Sequence, residues 1–227
     1  MRRRDNTEER LGRCGGFFIP EKCDSPDTRI DVQKNRISTL TEFSEDPPPL
    51  VVEIGCGSGR FACDFALKYP DFDVLAVERM STVILSGAER AAKENIGNVR
   101  FLGTKAELLP KYLPPRSVKS IYLNFSTPLP KSGSEKQRLT SPRFLAVYDG
   151  LLAENGKIHQ KTDNKDFFDY SINEFSDCGF EIEFSTEDLQ NSGIEKRYDR
   201  IRGKIRFARY ADLRLNGEKK VKCILSH

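Results

Sequence analysis

An apolar run that breaks into closely spaced glycines constrains this chain more than any other feature. Val51-Val52-Glu53-Ile54 leads into Gly55-Cys56-Gly57-Ser58-Gly59, and Arg60-Phe61 then begins a helical pattern. Glycines at 55, 57 and 59 let the backbone turn tightly and approach a ligand, as a Cβ at those positions would not. A strand, a glycine turn and a helix in this order predict an α/β sheet whose turn holds a nucleotide-like cofactor.

Two details turn the reading away from a dinucleotide. The spacing is G-x-G-x-G, whereas a pyrophosphate seated on a helix start goes with G-x-G-x-x-G. A carboxylate, Glu53, also stands just ahead of the turn, where it would repel a pyrophosphate and attract the ammonium and sulfonium of S-adenosylmethionine. The second strand, Asp73 to Glu78, ends in another acid about 20 residues further on, where such folds bind ribose hydroxyls. Against this stands the plainer possibility of a structural turn followed by a surface Glu.

The bulk composition narrows the classes. With 227 residues, 31% charged and 37% hydrophobic, the chain is expected to form one α/β domain with appended ends. No apolar run reaches membrane-spanning length, and Arg2-Arg3-Arg4 lacks the apolar stretch of a signal peptide, so a cytoplasmic protein is expected. Cysteines at 14, 23, 56, 63, 178 and 223 form no C-x-x-C pair, which argues for buried reduced thiols and against a metal site. From Glu195 to Lys222 there are eleven basic against four acidic residues, a segment suited either to phosphates or to a solvated surface.

Residues 1–48 are read as an N-terminal arm or lid that ends in Pro47-Pro48-Pro49, residues 49–210 as the catalytic domain, and 211–227 as a basic tail. After the glycine turn the pattern predicts a helix to Tyr69, strand two, and a helix from an N-cap at Ser81 to Asn95. A third strand follows at 98–102, a short helix at 107–113 and a fourth strand at 120–124. Pro142 opens a helix to about Ala153, Lys157–Lys161 is strand five, Thr162-Asp163-Asn164 caps a helix to Ser176, and Phe180–Ser185 is strand six. Alternating strands and helices give a mostly parallel central sheet with helices on both faces. The polar segment from Phe125 to Arg138 would lie at the carboxyl end of a central strand, where open α/β sheets bind ligands. Tyr122, Phe125 and His159 are read as structural side chains, with contact to the purine as the alternative for Phe125.

Tyr122-Leu123-Asn124-Phe125-Ser126 through Lys131, Arg138-Leu139-Thr140-Ser141 and His159-Gln160-Lys161-Thr162-Asp163-Asn164 together resemble the bacterial tRNA (guanine-N7-)-methyltransferase family. The match runs from about Leu50 to Leu189 and on toward Tyr210. The resemblance implies a Rossmann-like, S-adenosylmethionine-dependent fold that methylates N7 of a guanine in the tRNA variable loop. It also implies that Glu53 and Glu78 are cofactor acids, that Asn124 lies on the cofactor side, and that Lys131 and Asp163 contact substrate.

The chain departs from the family's Asn-Phe-Ser-Asp-Pro-Trp pattern, reading Asn124-Phe125-Ser126-Thr127-Pro128-Leu129. Thr127 thus occupies the position usually regarded as catalytic. Lys105 stands where an Asp is common at the adenine end of the cofactor. The family's Thr-x-x-Glu corresponds to Lys196-Arg197-Tyr198-Asp199, which makes Lys196 and Asp199 candidate substrate contacts.

Guanine N7 carries an exposed lone pair, so the transfer needs no prior deprotonation and general-base catalysis is dispensable. Positioning and electrostatic support remain the tasks of the site. Asp163 could supply a carboxylate to the base or cap the following helix. Lys131, Lys136, Arg138 and Arg143 surround the same loop with positive charge that could grip RNA phosphates. Three functions therefore compete: a tRNA guanine-N7 methyltransferase, monomeric or homodimeric; a diverged relative that binds tRNA with weak or no transfer; and a small-molecule methyltransferase, for which the basic loop has no purpose.

Overall fold

The computed structural model describes residues 6–19, 48–131 and 133–189, together with the backbone of 209–215. The chain divides into two compact units, residues 1–114 and 115–227.

In the first unit, α1 (Thr7–Arg13) and β1 (Phe18–Ile19) precede β2 (Leu50–Ile54), α2 (Arg60–Lys68), β3 (Asp73–Glu78), α3 (Ser81–Glu94) and β4 (Val99–Gly103). The strands are parallel and lie in the order β1-β4-β3-β2. Val51 to Ile54 and Asp73 to Val77 are buried at every position rather than at alternate ones, so both faces of these strands are covered. Burying a side chain of the size of Leu75 or Phe101, both 0% exposed, stabilises the fold by about 1.5–3 kcal/mol.

Two glycines set how closely the helices approach this sheet. A Cβ on Gly59, at the start of α2, would fall 2.3 Å from Phe101 Cε1, and one on Gly87, inside α3, would fall 2.6 Å from the same atom. Glycine within a helix costs about 1 kcal/mol of propensity. Here the cost is offset because the Phe101 ring of β4 fills the space a side chain would take.

α2 ends at Tyr69 as the Pro70-Asp71 signal predicts, and Phe61, Phe65 and Ala66 form its buried stripe. Ser81 is not the cap of α3, however. Met80 holds the N-cap position in extended conformation, and its N–H donates to Glu78 Oε1 at 3.1 Å. The short helix expected at 107–113 is present as a 3-10 helix, Ala106–Lys111.

Residues 6–19 of the expected arm pack onto this unit. Arg10 makes a two-pronged ion pair with Glu89 of α3, at 2.8 and 2.7 Å, and Phe18-Ile19 extend the sheet beside Phe101-Leu102.

The second unit holds β5 (Val118–Asn124), α4 (Pro142–Leu151), β6 (Leu152–Thr162), α5 (Lys165–Asp177), β7 (Phe180–Thr186) and β8 (Arg209–Leu215). β5 and β6 are parallel, and β8 runs antiparallel to both β6 and β7, which flank it. β6 begins five residues earlier than the sequence predicts, and Glu154-Asn155-Gly156 forms an irregularity inside it, with Asn155 at φ +58°. β8 was not legible as a strand, and it crosses residue 210, the expected edge of the catalytic domain. A buried hydrogen-bond chain ties β6 and α5 to the turn before α4: Thr140 Oγ1 and Ser171 Oγ lie 2.8 Å apart, Gln160 Nε2 donates to Ser171 Oγ at 2.8 Å, and Ser171 Oγ donates to the Phe167 carbonyl at 2.7 Å. Cys14, Cys56, Cys63 and Cys178 are buried thiols.

Candidate active site

The carboxyl ends of β2, β3 and β4 gather the expected cofactor residues within the first unit. Gly55, Gly57 and Gly59 have φ of +74°, +54° and +70°, the left-handed region that glycine enters without strain. The N–H groups of Gly55 and Cys56 both donate to the Val77 carbonyl, at 2.8 and 3.0 Å, which hooks the turn onto β3. A Cβ placed on Gly57 would meet no atom within 4 Å, so the backbone there faces open space.

Glu78 is drawn into this turn. Its Oε2 accepts from the Gly57 N–H at 3.3 Å while Oε1 holds the first residue before α3. Glu53 is 2% exposed at the end of β2. Burial, with Glu53 and Glu78 close by, pushes the Cys56 thiol well above its ordinary pKa, so Cys56 is a neutral packing residue and not a nucleophile. Two acids around an open, backbone-lined turn fit a ligand that carries positive charge and hydroxyls, as S-adenosylmethionine does. Lys105 is exposed at the end of β4, where its carbonyl accepts from Leu108 N–H at 3.0 Å.

The second unit carries the residues expected to serve the transfer at the ends of β5 and β6. Asn124 is in register with Lys161, and the Phe125 N–H donates to the Lys161 carbonyl at 2.7 Å. The chain then turns sharply. Phe125 and Leu129 adopt φ of +52° and +47°, a conformation that costs a residue with a side chain of the order of 1–3 kcal/mol. Thr127 lies between them and is exposed, as is Lys131. Phe125 is not the core residue the sequence suggested. It is 39% exposed, with the Lys161 ammonium 5.9 Å from its ring centroid. Tyr122 and His159 are buried and stacked at 4.4 Å, consistent with structural roles.

Asp163 follows β6 and is exposed. The cap of α5 is its neighbour: Asn164 Oδ1 accepts from the Phe167 N–H at 2.8 Å. Arg138 does not present its guanidinium outward with Lys131, Lys136 and Arg143. Its Nε donates to the Pro128 carbonyl at 2.9 Å and its Nη2 to the Leu129 carbonyl at 3.2 Å, and it lies 4.3 Å over the Tyr170 ring. Burial and nearby Glu174 push the Tyr170 phenol up, and burial raises the Glu174 carboxyl. Sequence reasoning passed over Tyr170 and Glu174. The available signal was the stripe Phe167, Tyr170, Ser171, Glu174, which carries polar groups on the packed face of a helix. Lys196 and Asp199 lie outside the described residues.

Solved methyltransferases share this fold. The antibiotic-resistance methyltransferase Kmr superposes with a TM-score of 0.57 at 18% identity, covering 87% of this chain and 97% of that one. A SAM dependent methyltransferase from Aquifex aeolicus gives 0.56 at 14% identity, covering 78% and 87%. The class is thus the Rossmann-like, S-adenosylmethionine-dependent methyltransferase fold.

Residues 47–209 match the family model described as "Putative methyltransferase". The tRNA (guanine-N(7)-)-methyltransferase of Geobacillus kaustophilus (strain HTA426) is 42% identical over 152 residues, 67% of this chain and 70% of the relative. That of Bacillus subtilis (strain 168) is 37% identical over 178 residues, 78% and 82% of the two chains. The chain belongs to the tRNA (guanine-N(7)-)-methyltransferase family.

Proposed function

We propose that this chain methylates N7 of a guanine in the variable loop of tRNA. The observation that carries the reading is the glycine turn joined by Glu78 at 3.3 Å, in a chain that also retains the family's Lys131 and Asp163. S-adenosylmethionine, when bound, supplies an electrophilic methyl whose bond to sulfur breaks as the bond to N7 forms, leaving the electron pair on sulfur. Glu53, Glu78 and the turn at 55–59 are the residues that would hold the cofactor, the two carboxylates answering its cationic and hydroxyl groups, with Lys105 following β4 in the same unit.

Thr127 offers one hydrogen bond beside the acceptor base, and Asp163 supplies a carboxylate that answers the positive charge arriving on the purine. No proton has to leave before attack, so positioning dominates the rate. Lys131, Lys136 and Arg143, all exposed, take the RNA phosphates, joined by Lys196 from the basic C-terminal segment, while Asp199 offers its carboxylate to a hydrogen-bond donor of the substrate. The proposed organisation keeps residues 49–210 as the catalytic region, and the cytoplasm is the proposed site of action because the substrate matures there. No helix among the described residues is long and apolar enough to cross a membrane.

The test is to incubate the protein with unmodified tRNA and methyl-labelled cofactor, digest the RNA and identify the labelled nucleoside. Label in 7-methylguanosine from the variable loop is expected. Cofactor and tRNA binding without any label in RNA would favour the diverged, non-transferring alternative that Thr127 invites.

A further inference from the structure

Arg138 turns its guanidinium onto two consecutive carbonyls of the segment that carries Thr127. That segment reverses direction through Phe125 and Leu129, both at positive φ without being glycine, so its shape has to be imposed from outside. One end is fixed by the Phe125 N–H on the Lys161 carbonyl. The other is fixed by the Arg138 fork on Pro128 and Leu129. The fork is itself seated: the Tyr170 ring of α5 lies 4.3 Å beneath it, the Arg138 N–H donates to the Glu135 carbonyl at 3.0 Å, and the Ser141 N–H donates to the Arg138 carbonyl at 2.9 Å.

We infer that Arg138 is a positioning residue: it spans from the Tyr170 face to the Pro128 and Leu129 carbonyls, and so holds Thr127 where the acceptor guanine is received. The inference rests on the function proposed above and assigns Arg138 a role within the loop rather than on an RNA phosphate. Guanidinium suits the task because its planar fork reaches two carbonyls while its face stacks on an aromatic ring. An ammonium keeps the charge but does neither.

Arg138→Lys is therefore the decisive variant, with Arg138→Gln as a second that keeps a donor at reduced length. Each is compared with the wild-type chain by amide hydrogen exchange over 125–131, by kcat and KM for tRNA methylation, and by the salt dependence of tRNA binding. The expected result is about tenfold faster exchange confined to that loop, about tenfold lower kcat, unchanged cofactor affinity and an unchanged salt slope. A phosphate contact predicts the opposite pattern, with Lys restoring activity and Gln lowering the salt slope by about one. Wild-type exchange in Arg138→Lys, or a reduced slope in Arg138→Gln, overturns the inference. If the wild-type chain transfers no methyl at all, the function proposed above fails, while loop exchange and salt slope still decide the role of Arg138.

Discussion

The turn after β2 and the loop after β5 both bend the chain at the carboxyl end of a parallel strand, but they reach positive φ by opposite means. At 55–59 the three left-handed residues are glycines, which carry no steric penalty, and the turn is held by its own backbone hydrogen bonds to Val77. At 125–129 the left-handed residues are Phe125 and Leu129, held by Lys161 on one side and Arg138 on the other. The glycine turn is thus shaped by its own sequence. The loop after β5 is shaped by its neighbours, which leaves Thr127 and Leu129 able to differ from the family's Asp and Trp while the backbone path is kept by groups outside the loop.

The largest expected effect sharpens this contrast on the loop side. Thr127→Asp restores a negative charge beside the developing purine cation, and by analogy with one preorganised donor, about 2.7–4 kcal/mol, it should raise the single-turnover rate roughly 10²- to 10³-fold. Rapid-quench measurement with saturating tRNA checks it, and an unchanged rate removes the position from the chemistry. Next comes a break on the turn side. Gly59→Ala puts a Cβ 2.3 Å from Phe101 Cε1 at φ +70°. Overpacking and left-handed strain together should cost about 2–4 kcal/mol, read as a lower urea midpoint.

Glu78→Gln keeps an oxygen acceptor for the Gly57 N–H but removes the charge. Calorimetry should show S-adenosylmethionine binding weakened about tenfold, or ~1.4 kcal/mol, with tRNA affinity unaltered. Equal loss on both ligands would mean that Glu78 is not a cofactor residue. Asn164→Ala is the smallest change. It removes the side-chain cap on Phe167 N–H and should lower stability by about 1 kcal/mol, with the Asp163-dependent activity retained. If activity falls with stability, the carboxylate and the cap are coupled.

What the sequence determined is local. Apolar runs marked the main strands β2 to β7, glycine spacing marked the turn, and acids at 53 and 78 stood out beside it, because each of these is written in residues adjacent to one another or at a fixed period. The motifs at 122–131 and 159–164 likewise announced the family. What only the tertiary structure decided involves partners far apart in the chain. The edge strand Phe18-Ile19 is two residues long and gains its pairing from β4, while β8 takes its register from strands on both sides. Arg138 and Phe125 changed places against expectation, the charged fork turning inward and the ring outward. Charge and hydrophobicity set a preference for solvent, but the Pro128 and Leu129 carbonyls and the face of Tyr170 offered the guanidinium a fitted seat that no stretch of neighbouring residues encodes.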